Sequence, residues 1–207
     1  MVGKQKKARP TGVFGSEYFQ KFYRDRATRV VTPADMRARA RLIAAVLRHA
    51  CVPVRSILDA GCGIGLMRAP FTEVLPRARY TGLEASEYLC GRYGWRRGSV
   101  IDFAPRTPSD LVVCYDVLQY LGDAEAERAI ANFSRLSRAA LYVSALTRAD
   151  WRENCDRQRT DGAVHLRSGA WYRQRLERRF RYVGCGIWLR RDVTPILWEM
   201  ERAAPFA

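Results

Sequence analysis

The chain has 207 residues, 48% of them hydrophobic, which fits one domain with a single substantial core and a globular rather than disordered state. Its formal net charge is +15, yet only four of the 36 basic residues are lysines and the arginines are scattered through nearly every segment, so the charge reads as a solvated surface rather than a nucleic-acid-binding block, with a field that draws anionic substrates. The longest apolar run near the N-terminus, residues 42–47, is too short to span a membrane, residues 1–11 lack the apolar core of a signal peptide, and the six cysteines form no CxxC pair; a soluble, cytoplasmic protein with reduced thiols and no metal site is expected.

Residues 1–13 carry Lys4, Lys6, Lys7 and Arg9 and read as a basic flexible tail. Residues 14–50 read as an N-terminal helical lid. Its first part crowds Tyr18, Phe19, Phe22 and Tyr23 into one short helix, and Tyr18 and Tyr23 are the members with a polar handle. Thr32-Pro33-Ala34-Asp35 is a helix start, with a hydroxyl cap, proline in the first turn and an acid three residues after the cap. The stripe Met36, Ala40, Ile43, Leu47, Ala50 follows at helical spacing and marks a covering helix. His49 reads as a helix-terminus residue rather than a base.

The segment RSILDAGCGIGLMRAPFTEVLPRARYTGLE, residues 55–84, organises the rest. A short apolar run reaches Asp59 and breaks into Gly61, Cys62, Gly63 and Gly65, which predicts strand, tight turn and helix start. A second run ends in Glu84, about 20 residues beyond the last glycine, where an acid takes ribose hydroxyls. In a dinucleotide site the pyrophosphate rests on the helix N-terminus, and Asp59 would repel it. S-adenosylmethionine carries a sulfonium and an ammonium instead. DAGCGIG followed by Glu84 resembles the first motifs of the class I S-adenosylmethionine-dependent methyltransferases of small-molecule type, and the resemblance extends from Arg55 to about Arg202.

That resemblance implies S-adenosylmethionine as cofactor, bound by Asp59, Gly61, Cys62, Gly63, Glu84, Ala85 and Ser86, with Ser86 also capping the next helix. Arg97-Gly98-Ser99-Val100-Ile101-Asp102 resembles the segment that meets adenine, and Ser99 and Asp102 both remain candidates beside Val100. Residues 110–115, with an unbroken apolar run after Asp110, read as a buried parallel strand. It continues as Asp116-Val117-Leu118-Gln119-Tyr120-Leu121, a string that resembles a family motif, with Tyr120 where many relatives have histidine. Cys114 and Tyr115 are expected on the far side of the cofactor. No Asn/Asp-Pro-Pro-aromatic string and no Pro-Cys is present, which disfavours methylation of nucleic-acid bases.

Residues 123–138 predict a helix and residues 141–145 a fifth strand. The polar stretch 146–167 reads as an acceptor loop containing Trp151 and His165. Imidazole is the side chain best suited to general-base work near neutral pH, so His165 is the general-base candidate, with Tyr120 as second catalytic candidate and Tyr18, Tyr23 and Trp151 as acceptor contacts. Ser168 predicts the cap of a last long helix with a Tyr172, Leu176, Phe180 stripe, followed by strands over 182–189 and 196–200. The expected fold is a single-domain, Rossmann-like, doubly wound and mostly parallel α/β sheet with one antiparallel strand near the C-terminus and helices on both faces. The expected activity is methyl transfer to a small-molecule acceptor, for which an anion would suit the arginine excess. An RNA methyltransferase and a non-catalytic cofactor-binding partner protein are the alternatives.

Overall fold

The protein is represented by a computed structural model that describes residues 14–29 and 31–202. The tail expected over 1–13 lies outside the described residues. Seven strands form one sheet in the order β3-β2-β1-β4-β5-β7-β6. These are β1 (Ser56–Ala60), β2 (Arg79–Glu84), β3 (Arg96–Arg97), β4 (Ser109–Tyr115), β5 (Ser137–Ser144), β6 (Phe180–Gly184) and β7 (Ile187–Arg190). The first five pair in parallel, and β7 alone runs against both its neighbours. The chain therefore winds outward one way from β1 and the other way from β4. Between their carboxyl ends lies the crevice in which such sheets bind ligands.

Helices cover both faces. On one face α2 (Pro33–His49) starts at a capping box in which Thr32 Oγ1 accepts from the Asp35 N–H at 3.2 Å and the Asp35 carboxylate accepts from the Thr32 N–H at 2.8 Å. Its stripe, Met36, Ala40, Ile43 and Leu47, packs with Phe71 of α3 (Arg68–Val74) on Ile57, Leu111 and Val113. Helix α2 is thus part of the core, and of the residues 14–50 expected as a lid, those ahead of it form α1 (Ser16–Phe19) and the wider π-helical turn Gln20–Arg24. On the other face α5 (Asp123–Leu136) lays Ala126, Ala129, Ile130 and Phe133 on Leu58, Val112 and Leu141. Alternation along β4 sends Val112 and Cys114 to this face and Leu111 and Val113 to the other.

The C-terminal part differs from the sequence expectation. Gly184, Cys185 and Gly186 have φ of 123°, 47° and 78°, so the chain reverses inside the apolar run expected to be one strand, and a hairpin results. A Cβ on Gly186 would lie 2.8 Å from the Val143 carbonyl oxygen. Residues 196–200 form no strand; Ile196 is 59% and Met200 96% exposed, and a 3-10 turn occupies Glu199–Glu201. After α6 (Arg148–Glu153), helix α7 (Gly169–Leu176), capped by Ser168, stops short of Phe180, which instead opens β6.

Candidate active site

The glycine loop leaves β1 with φ of +84° at Gly61, +54° at Gly63 and +79° at Gly65, values that favour glycine at every step. Two of these positions also need the missing side chain. A Cβ on Gly61 would sit 2.4 Å from Val117 Cγ2, just beyond β4, and one on Gly65 would sit 2.5 Å from the Trp95 ring. A Cβ on Gly63 would meet nothing within 4 Å, because that side faces open cleft. Trp95 is the strut of the loop. Its Nε1–H donates to the Gly63 carbonyl at 2.9 Å, and its ring packs on Gly82. No periodicity or motif in the sequence marks it.

Glu84 ends β2 facing the same cleft. Its two oxygens accept from the Gly63 N–H at 2.8 Å and the Ser86 N–H at 2.9 Å, which orients the carboxylate and leaves lone pairs for a ligand's hydroxyls. Ser86 itself is buried, and its hydroxyl donates to the Phe14 carbonyl at 3.0 Å. It anchors the N-terminal segment to α4 (Glu87–Tyr93) rather than lining the cleft.

Three cavities meet at this edge of the sheet. A cleft of about 680 Å³ is bounded by Gly61, Gly63, Glu84, Ala85, Ser99 and Val100 on one side and by Tyr18, Tyr23, Asp116 and Tyr120 on the other. Behind the glycine loop a smaller cavity is lined by Asp59, Cys62, Met67, Tyr115 and Tyr23. An open vestibule lies beyond Tyr18, Tyr23, Asp116 and Tyr120, bordered by Leu146 and by residues between Asp150 and Asp161. Tyr23 touches all three. Burial, reinforced by Tyr18, Asp116, Tyr115 and Glu84, raises its pKa well above the ordinary phenol value, so the hydroxyl stays neutral.

Asp59 is only 3% exposed and accepts a hydrogen bond from the Tyr80 hydroxyl. Burial pushes its pKa up to about 7, against the Tyr80 hydrogen bond and with help from Glu84. The bare anion expected ahead of the glycine loop is therefore a carboxyl that titrates near neutrality in the rear cavity. In the main cleft the carboxylates are Glu84 and Asp116.

Asp116 is the residue that the sequence reading passed over. It follows β4 at φ +55°, a conformation non-glycine residues hold at some cost, and it faces both cleft and vestibule. Burial raises its pKa, while hydrogen bonds from Tyr115 and Gln119 and the nearby Arg39 pull it down. Behind the 3-10 turn Leu118–Tyr120, Arg167 is 5% exposed and donates to the carbonyls of Leu118 at 3.0 Å and Leu121 at 2.6 Å and to Asp123 at 2.8 Å. It fixes the turn that carries Gln119 and Tyr120. Tyr120 shares a hydroxyl–hydroxyl hydrogen bond of 2.7 Å with Tyr18, joining that turn to α1.

Besides Ser86, four expected site residues are placed elsewhere. Cys114 points into the α5 face of the core, fully buried, because strand alternation gives the cavity side to Tyr115. Asp102 is exposed outside the cleft, and Ser99 is the member of that pair on its wall. Trp151 packs its ring on Gly162, where a Cβ would lie 3.0 Å away. His165 donates its backbone N–H to the Gln119 carbonyl at 2.7 Å, and its ring lines none of the three cavities.

Residues 58–139 match the family model described as a methyltransferase domain. No curated protein matches in sequence. Among solved structures, magnesium protoporphyrin IX methyltransferase (ChlM) from Synechocystis PCC 6803 with bound S-adenosylmethionine is 17% identical, with a TM-score of 0.59 over 86% of this chain and 92% of that one. DesVI from Streptomyces venezuelae is 18% identical, with a TM-score of 0.57 over 75% of this chain and 91% of that one. The N-methyltransferase NodS from Bradyrhizobium japonicum WM9, in complex with S-adenosylhomocysteine, is 18% identical, with a TM-score of 0.53 over 79% and 90%. The chain thus contains, over residues 58–139, a match to a methyltransferase domain, and its sheet has the fold of solved S-adenosylmethionine-dependent methyltransferases.

Proposed function

We propose that the protein methylates a small molecule seated in the vestibule, with Asp116 as the proton acceptor. The observation that carries this is the common wall: Tyr18, Tyr23, Asp116 and Tyr120 border both the cofactor cleft and the vestibule, so an acceptor atom beside Asp116 lies next to the cleft.

The cleft fits the cofactor. Gly63 leaves open the space that any side chain would fill, the Glu84 carboxylate has free lone pairs for ribose hydroxyls, and Ala85, Ser99 and Val100 offer a flat, mostly apolar border for adenine. Asp59, Gly61, Cys62 and Gly63 would hold the methionine part from the rear cavity. When bound, S-adenosylmethionine supplies a methyl carbon already activated on a sulfonium, which passes to the acceptor atom while sulfur keeps the electron pair of the broken bond.

The protein's task is then alignment and exclusion of water. Tyr18 and Tyr23 serve as the lid, latched to Tyr120 by the hydroxyl pair. Asp116 takes the proton that the acceptor atom loses; its burial favours the protonated product of that transfer. Residues 146–161 shape the acceptor's outer wall. A small acceptor is favoured because Asp116, Asp150, Asp156 and Asp161 on the vestibule wall oppose a phosphate backbone. The similarity in fold to a magnesium protoporphyrin IX methyltransferase and to an N-methyltransferase agrees with this. The six cysteines, all free thiols, suit a reducing compartment such as the cytoplasm.

Calorimetry with S-adenosylhomocysteine and with NAD tests the cofactor assignment, and Asp116→Asn tests the base. The expected results are binding of the former and not of NAD, and for Asp116→Asn a fall in turnover of about 10²–10⁴-fold with any accepted substrate. Binding of NAD alone, or full turnover by the asparagine variant, would refute the reading.

A further inference from the structure

We infer that Arg39, on helix α2, is a positioning residue for the proposed reaction, its guanidinium standing as the counter-charge set back behind Asp116. This deepens the function proposed above and rests on it. The guanidinium carbon lies 4.4 Å from the centre of the Tyr115 ring and 5.9 Å from that of Tyr142, and Nη1 donates to the Tyr142 hydroxyl at 2.5 Å. Tyr115 closes β4 and Tyr142 belongs to the neighbouring strand β5, so the cation stands against the residue that immediately precedes Asp116. Among the described residues no carboxylate lies within ion-pairing distance of Arg39. Asp35, one turn earlier on the same helix, is exposed and accepts from Thr32 in the capping box. Half-burying a guanidinium without an acid of its own has a cost, and the placement needs a reason.

The reason lies in what else faces Asp116. Tyr115 and Gln119 hydrogen-bond its carboxylate. Tyr23 from the π-helical turn, Tyr120 from the 3-10 turn and Tyr142 from β5 are phenols whose pKa values burial raises, so near neutral pH they carry no charge. The buried Cys114 thiol on β4 is neutral for the same reason. From α6 comes Asp150, whose pKa is held down, against its burial, by hydrogen bonds from Thr147 and Asn154, so that its negative charge works with burial to protonate Asp116. Glu84, on the far wall of the cleft, has the same sign. The cation on the vestibule wall, Arg159, faces Asp156 at 3.7 Å. Arg39 is left as the positive charge acting on Asp116.

Distance is part of the arrangement. A guanidinium in direct contact would occupy the carboxylate oxygens and leave Asp116 too weak a base to take a proton. Stacked on Tyr115 and bonded to Tyr142, Arg39 leaves those oxygens to the acceptor while its field still favours the anion. Arginine suits this place because its charge persists at every working pH and its flat group stacks on a ring.

The test follows the protonation of Asp116 by NMR of the full chain, isotopically labelled at the aspartate carboxyl carbons, with Asp116→Asn identifying the signal. In Arg39→Met and Arg39→Gln, two uncharged replacements of which one keeps an apolar stem and the other a polar end, Asp116 should bind its proton about tenfold tighter or more, so its titration moves to higher pH. Arg39→Lys, which keeps the charge, should recover at least half of that shift, a rescue that a purely structural role would not give. Thermal unfolding confirms that each variant is folded. An Asp116 titration unmoved in a folded methionine or glutamine variant, or moved as far by lysine as by methionine, would overturn the inference. The titration needs no acceptor, so it can fail while Asp116 remains the base; full turnover by Asp116→Asn would instead remove the base and leave the titration as it was.

Discussion

Asparagine in place of Asp59 keeps an acceptor for the Tyr80 hydroxyl and removes only the titration. In the folded protein Asp59 has its pKa at about 7, against an ordinary 3.8. Between those values the unfolded chain has released this proton while the folded chain still holds it. The native state then binds more protons than the unfolded state, so stability falls as pH rises through the window, the reverse of a salt-bridged aspartate. About three units at about 1.4 kcal/mol each give a contribution near 4 kcal/mol, of which about 2 kcal/mol is lost between about pH 5 and about pH 7. For a chain of this size that amounts to about 4–8 °C in Tm. Urea unfolding of wild type and Asp59→Asn at intervals across this range measures it as the difference between two curves, in which other titrating groups cancel. The variant should gain on the wild type steadily as pH rises. Parallel curves, or a wild type that gains on the variant, would mean that Asp59 is ionised in the fold and that burial does not govern it.

Gly61→Ala should cost about 1–3 kcal/mol, because alanine is strained at φ +84° and its Cβ would lie 2.4 Å from Val117 Cγ2; combined with Val117→Ala in the same unfolding assay, the double variant should lose less than the sum of the two single variants, and strict additivity would deny the contact. Arg167→Leu should cost about 3–5 kcal/mol by stranding the Leu118 and Leu121 carbonyls, and a change within experimental error would show those groups reaching water. Glu84→Ala should weaken S-adenosylhomocysteine binding about 10–100-fold by calorimetry, since it removes the ribose acceptor and frees the Gly63 and Ser86 amides; unchanged affinity would place the ligand elsewhere.

What the sequence discloses is local. The caps at Thr32, Ser86 and Ser168 are visible as hydroxyl residues ahead of apolar stripes, and all three accept the expected backbone N–H. The glycine loop and Glu84 are legible because backbone geometry restricts which residues can stand there. Where the outcome depends on packing from a distance, the sequence is silent. Trp95 props the glycine loop from about 30 residues away, and Arg167 fixes the turn after β4 through carbonyls that any residue would offer. Residue type alone favours His165 as a base, and only the fold shows that Asp116 is a carboxyl group bordering both compartments. Two glycines flanking Cys185 split an apolar run that composition alone reads as one strand.

Because Tyr23 belongs to every compartment at once, no substitution there changes one ligand's fit in isolation. An engineer altering acceptor choice would disturb the methyl donor as well. Under the proposed function, Leu146, Asn154 and Thr160, which border the vestibule without reaching the other two spaces, are positions from which specificity can be retuned while the donor's seat stays intact.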